Sequence, residues 1–369
     1  MKQHISGPPV PSGRFFLPGP TEVHPDVLEA QNRAIIGHRG RAIQELMREL
    51  QAGLEVVFFT KRPVFISTSS ATGLMEAAVR NAVKTRVLSL VNGAFSKRFA
   101  DIAKSCGLEV DTVEVPWGEA HDPDVLRKKL ARGTYDAVTM AHSETSTGVL
   151  NDISALAAVT AEYEEVLVLV DSVTGFGGAE LRPDDWGLDF VLTGSQKSFA
   201  LPPGLSFGVA SGRMMERSAS VPNRGFYFDL QKFASNQEKW QSPTTPAISG
   251  LYALQVQLKR MQSETMRARW VRHTAMAERT WAWVAQMKES GVGLEVLAPE
   301  GQRSPCVTAI AVEDGESAPS IVEGAADRGW VIGGGYGKLK PRTFRIGHMG
   351  DHTLDQLNDL LEVLTDVVR

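Results

Sequence analysis

The sequence predicts an α/β protein, with a large domain on a mainly parallel seven-stranded sheet and a smaller α+β domain after it. Two patterns carry that expectation. Short apolar runs alternate with longer segments of helical period, as βαβ units require. From about Pro246 the alternation gives way to a long helical stretch and then to mixed strand-like and helix-like segments. At roughly 100–200 residues per domain, 369 residues leave room for two domains around one large core.

In chain order, the expected strands are PVFIST (63–68), RVLSLV (86–91), LEVDTVEV (108–115), DAVTMA (136–141), VLVLVD (166–171), FVLTG (190–194) and SFGVAS (206–211). Each is short and rich in β-branched or large apolar residues, as a strand buried on both faces should be. Helical periodicity fills the gaps at 71–83, 96–106 and 153–164. The stretch after Pro246 is long enough for two or more helices. Beyond it, PCVTAIAV (305–312) and FRIG (344–347) read as strands, while 318–329 and the tail from Thr353 read as helices. The expected division is a tail over 1–13, a large domain over 14–260 and a small domain over 261–369.

Composition narrows the function. With 39 Lys plus Arg against 43 Asp plus Glu, the chain lacks the basic footprint of a nucleic-acid binder. No apolar run approaches the roughly 18 residues that span a bilayer, and the opening residues lack a signal-peptide core. Cys106 and Cys306 lie too far apart in sequence to suggest a disulfide framework or a metal cluster. A cytoplasmic protein with no membrane or nucleic-acid partner is the expectation.

In open α/β sheets, ligands bind beyond the carboxyl ends of the strands. After the first run, STSSATG opens a helix, and its N–H groups with Ser70 and Thr72 suit an anion; the same residues also suit a plain cap. After VLVLV comes Asp171, a carboxylate that is costly at a buried strand end unless a cation or donor meets it. As a turn aspartate it would only cap the next segment. DAVTMA leads into HSETSTGV, where His142, Glu144, Thr145, Ser146 and Thr147 crowd together. RVLSLV leads to Phe95, either core or a flat platform. FVLTG leads to Ser195, Gln196 and Lys197. An anion-binding helix start, an aromatic face, an acid and a lysine together match the needs of pyridoxal 5′-phosphate (PLP): donors for its phosphate, a carboxylate for its pyridine nitrogen and an amine for covalent attachment. No G-x-G-x-x-G follows the first strand, GGGYGKL (333–339) lacks P-loop spacing, and no cluster has zinc-like spacing.

Five collinear segments resemble class V aminotransferases of PLP fold type I, in the group of alanine–glyoxylate, serine–pyruvate and archaeal broad-specificity enzymes. They are FFLPGPTEVHPDVL (15–28), HSETSTGV (142–149), DSVTGFGG (171–178), GSQKSFALPPG (194–204) and FRIGHMG (344–350). The resemblance implies that Lys197 binds the cofactor and moves the proton, and that Asp171 pairs with the ring nitrogen. It places Ser70, Ala71, Thr72 and Gln196 at the phosphate. Phe95 and Val173 would lie on opposite ring faces, with Thr145 at the ring oxygen. Arg345 would take the substrate carboxylate. Thr244 would reach the cofactor of a neighbouring subunit, which implies a homodimer with shared sites.

The implied reaction moves an amino group from alanine, serine or phosphoserine to glyoxylate or pyruvate. His38 and Arg39, in IGHRG, resemble a pair that recognises substrate phosphate in phosphoserine aminotransferases, which use 2-oxoglutarate; a packing role at a helix start fits equally. A class V cysteine desulfurase is a rival, although Gln196 stands where such enzymes usually carry His and Cys306 reads as a buried strand-entry residue. A PLP-binding regulator without turnover is the rival from another class.

Overall fold

The computed structural model describes residues 11–313 and 317–369; residues 1–10 of the expected tail lie outside the described residues. The seven expected strands form one sheet: β1 (Val64–Ser67), β2 (Arg86–Val91), β3 (Glu109–Glu114), β4 (Ala137–Ala141), β5 (Leu167–Asp171), β6 (Phe190–Gly194) and β7 (Ser206–Ala210). Their spatial order is β1-β7-β6-β5-β4-β2-β3. Only β7 runs against its neighbours, pairing antiparallel with both β1 and β6.

The two-residue strand period explains how both faces are filled. Leu88, Val138, Val168, Val170 and Val191 point to one side, where helix Arg41–Phe58 and helix Ile248–Glu264 lay down Leu50, Leu54, Leu254 and Leu258. Val87, Ala137, Leu167, Leu169 and Leu192 point to the other, against Leu74 and Ala78 of helix Ala71–Ala82 and Phe99 of helix Ala94–Ser105. β3 is the exception. It is one of the sheet's two edge strands, and its residues are exposed or half-buried, with charges that discourage further pairing, whereas the other edge strand, β1, is buried.

The long helical stretch divides at Thr265, whose φ of 68° no helix continues through. Helix Ile248–Glu264 ends there and helix Met266–Glu289 starts. The C-terminal sheet contains Leu294–Val296, Thr308–Val312, Val331–Gly334 and Thr343–Ile346, and Phe15–Phe16 joins its edge beside Val331 and Ile332. The start of the chain therefore crosses from the small sheet to the mouth of the large one, carrying Pro18 and Gly19 with it. Among the described residues, no helix is long and apolar enough to cross a membrane.

Candidate active site

The reversal between β6 and β7 builds the lysine's loop. Ser195 closes it, donating its N–H to the Leu205 carbonyl (3.0 Å) and its hydroxyl to the Pro202 carbonyl (2.8 Å). Inside, Ala200 donates to the Lys197 carbonyl at 2.8 Å and adopts φ 51°, a left-handed conformation unfavourable for alanine. Lys197 is thus fixed at the carboxyl end of the sheet, and it is buried. Its Nζ donates to the Pro18 carbonyl and lies 5.9 Å from the centre of the Phe95 ring. Burial, with Arg345 adding to it, brings its pKa down to about 8.

Gly19 lets the chain pass this close. At φ 95° it occupies glycine's region, and a Cβ there would come within 2.4–2.6 Å of Lys197 Cδ, Cε and Nζ. Gly19→Ala is expected to displace the lysine and lower kcat about 100-fold, the scale of a misplacement near 1 Å. Kinetics checked against an unchanged circular-dichroism spectrum measure this.

Asp171 ends β5 and is buried, accepting one hydrogen bond from the Val173 N–H at 2.9 Å. Burial pushes its carboxyl up to about 7; the nearby Glu144 reinforces this, while the Val173 N–H and the charges of Lys197 and Arg98 oppose it. Among the described residues no cation forms an ion pair with it. A cationic ring nitrogen would satisfy this carboxylate and keep it ionised.

Helix Ala71–Ala82 starts at the same cavity, and Ser70 at its N-cap makes no side-chain capping bond. This hydroxyl is therefore not spent on the helix. The crowding in HSETSTGV has a structural cause. Glu144 is buried and accepts from the N–H groups of Phe95 (3.1 Å) and Ser96 (2.8 Å) and from the Ser146 hydroxyl (2.6 Å). It caps helix Ala94–Ser105 and so fixes Phe95, with the helix dipole favouring its charge. His142 is buried beside the Ser172 hydroxyl (2.9 Å), its pKa brought down to about 4 by burial.

Arg345 extends from Thr343–Ile346. Its Nε donates to the Gly334 carbonyl (2.8 Å) and one Nη to the Thr145 carbonyl (3.2 Å). Burial lowers its pKa to about 10, and no carboxylate among the described residues pairs with it.

Against known proteins, a family model described as "Aminotransferase class-V" matches residues 25–321. The chain belongs to the class-V aminotransferases. It is 34% identical to a Synechococcus protein named soluble hydrogenase, small subunit, over 91% of this chain and 88% of that one. It is 33% identical to the L-aspartate–glyoxylate aminotransferase of Paracoccus denitrificans, over 92% of this chain and 87% of the relative. The alanine–glyoxylate aminotransferase structure from Nostoc superposes with a TM-score of 0.91 at 29% identity, covering 100% of this chain and 98% of that one.

In this class-V chain, nine expected residues line one cavity: Ser70, Ala71, Thr72, Phe95, Thr145, Asp171, Val173, Gln196 and Lys197. Arg345 stands beside them through Thr145. The Thr145 hydroxyl is hydrogen-bonded to that of Thr174. Thr244, His38 and Arg39 are absent from the cavity of a single chain, and exposed Arg39 is held by the carbonyls of Ser242 (2.7 Å) and Pro243 (3.3 Å). Of the residues lining this cavity, Met75, Arg98, Ser143 and Thr174 escaped the sequence reading, as did Tyr336, which contacts Phe95 and Arg98. Arg98 follows Phe95 by three positions on one helix, a spacing that puts both on one face. Tyr336 lies in GGGYGKL, which the sequence presents only as a phosphate loop of the wrong spacing. Cys306 is buried, with its thiol pushed up to about 12 by burial, so it offers no accessible thiolate.

Proposed function

We propose that this class-V aminotransferase uses PLP to move the amino group of a small L-amino acid to glyoxylate, leaving a 2-oxo acid and glycine, with pyruvate as a second acceptor. The carrying observation is the donor set at and beside the cavity: buried Lys197, an uncapped helix start at Ser70, and an Asp171 carboxylate and an Arg345 guanidinium that, among the described residues, form no ion pair. That set fits PLP. Ser70, Ala71, Thr72 and Gln196 would hold its phosphate, Asp171 its ring nitrogen, and Phe95 and Val173 its two faces.

When bound, PLP supplies an electron sink that acidifies the Cα–H of the amino acid. Arg345 receives the α-carboxylate through its planar fork and fixes which bond faces the lysine. The Lys197 Nζ, when free and neutral, would accept the Cα proton as general base and hold it for return. Burial favours the neutral amine needed for this. The second half runs with the oxo acid in the amino acid's place. Relatives named for aspartate and alanine, both with glyoxylate, support the acceptor.

The same reading makes the chain a homodimer. Phe226 is 75% exposed and Tyr227 41%, on a segment where Tyr227 donates to the Thr68 carbonyl (3.0 Å), two residues before Ser70. The Thr68 hydroxyl also accepts from the Ala247 N–H (3.0 Å), three residues after Thr244, which in a dimer would reach the partner's phosphate site. Sedimentation at micromolar concentration should give twice the chain mass.

The test is a panel of donors, including alanine, serine, aspartate and phosphoserine, against glyoxylate, pyruvate and 2-oxoglutarate. Each donor that works alone must change the cofactor's visible spectrum. If none does, transamination is excluded. Arg345→Gln is expected to raise KM for donor and acceptor about 10–100-fold, the worth of a lost charge-assisted contact.

A further inference from the structure

We propose that Arg98 and Tyr336 form a second carboxylate subsite opposite Arg345, which makes a four-carbon dicarboxylic amino acid, aspartate, the preferred donor over alanine or serine. This rests on the reading that the cavity is a transamination site with Arg345 at the α-carboxylate.

Arg98 is half-buried in the wall of the cavity that holds Lys197, its guanidinium 4.8 Å above the centre of the Phe95 ring. One Nη donates to the Tyr336 hydroxyl at 3.0 Å. The phenol oxygen accepts there and keeps its own proton to donate elsewhere. Tyr336 also packs against Phe95, with ring centres 5.1 Å apart, and the Arg345 guanidinium lies 5.6 Å from its ring. Two guanidinium groups thus flank one phenol ring at the cavity.

Neither is neutralised. Among the described residues no carboxylate forms an ion pair with Arg98 or Arg345. The nearby acids are committed elsewhere: Glu144 to the start of helix Ala94–Ser105, and Asp171 facing the cavity floor beside the Val173 N–H. Partly desolvated cations without counter-charge are costly and bind anions well. A monocarboxylic donor neutralises only Arg345. A four-carbon diacid can neutralise both, with its second carboxylate meeting a guanidinium fork and a phenol O–H. A carboxylate suits this small donor set better than a phosphate dianion, which has more oxygens and charge to satisfy.

The test uses the PLP-loaded protein. Arg98→Gln is expected to lower the ratio of kcat/KM for aspartate to that for alanine about 30-fold, with Arg98→Lys recovering part of it. Maleate binding, read by calorimetry without turnover, should weaken about 30-fold in Arg98→Gln, while propionate binding shifts far less. Equal losses for aspartate and alanine would mean that Arg98 only backs the Phe95 ring, and would overturn the proposal. So would preference for phosphoserine over aspartate in the wild type. Turnover of alanine and serine but not aspartate sinks this proposal alone. If no amino acid reacts, transamination fails, and maleate binding insensitive to Arg98→Gln then rejects the subsite as well.

Discussion

Lys197→Ala is expected to abolish transamination, a loss of at least about 10⁴-fold, while the fold survives. Two functions disappear with one amine: covalent attachment of the proposed cofactor and proton transfer at the substrate's Cα. The side chain contributes little to packing that alanine could not leave to neighbours, since its Nζ is held by the Pro18 carbonyl and the Phe95 face. Removing a buried cation also removes a desolvation cost, so the melting temperature should not fall. The readouts are separate: the visible absorbance of lysine-bound cofactor vanishes, turnover vanishes, and thermal unfolding is unchanged or later. The wild-type rate should carry an acidic limb, because the amine accepts a proton only when neutral and its pKa is lowered to about 8. Below that value the ammonium form prevails and the rate falls. A Lys197→Ala variant that transaminates would end the assignment.

Lys197 and its surroundings were legible because the sheet is a simple machine. Runs such as VLVLVD can only be buried, and whatever follows them must stand at the sheet's carboxyl end. That logic places Ser70, Phe95, Thr145, Asp171 and Lys197 on one cavity from sequence alone. It could not choose between a capping and an open Ser70, because that depends on where one hydroxyl points. Arg98 was within reach, one helical turn from Phe95, but a surface-type residue in a charged helix gives no local sign of facing inward. Tyr336 reaches Arg98 across 238 residues, a separation that periodicity does not see. Thr244 and Arg39 lie outside the cavity of a single chain, which nothing in their local sequence shows.

Arg269→Met is expected to cost about 3 kcal/mol of stability, and to slow catalysis beyond what that loss explains. Arg269 is almost fully buried on helix Met266–Glu289, where it meets Asp351 (2.8 Å), Glu264 (2.7 Å) and the carbonyl of Ser198 (2.7 Å). Ser198 follows Lys197, so the guanidinium holds the lysine's loop in its left-handed turn. Asp351 lies in the loop after Arg345, so the same group ties the lysine side of the site to the carboxylate side. Met fills the volume but strands two acids in the interior. Their loss is partial, because Glu264 keeps Arg272 and Asp351 keeps Arg260. The pH dependence follows from the acids. Burial alone would raise both, but Arg269 and its neighbours outweigh it and hold Asp351 and Glu264 below the usual carboxylate range. Stability from such depressed groups is complete above their unfolded pKa values and disappears as pH falls through the folded ones. Urea unfolding should therefore show the variant's deficit at neutral pH and a narrowing gap below the ordinary carboxylate range. Arg272→Met supplies the control. Arg272 also binds Glu264, and it holds the Gly350 carbonyl (3.1 Å) without touching Ser198. It should lose stability while kcat, measured well below the melting transition, stays largely intact; in Arg269→Met kcat should fall about 10-fold or more as the lysine loses its alignment. Equal kcat in the two variants would reduce Arg269 to a structural ion pair.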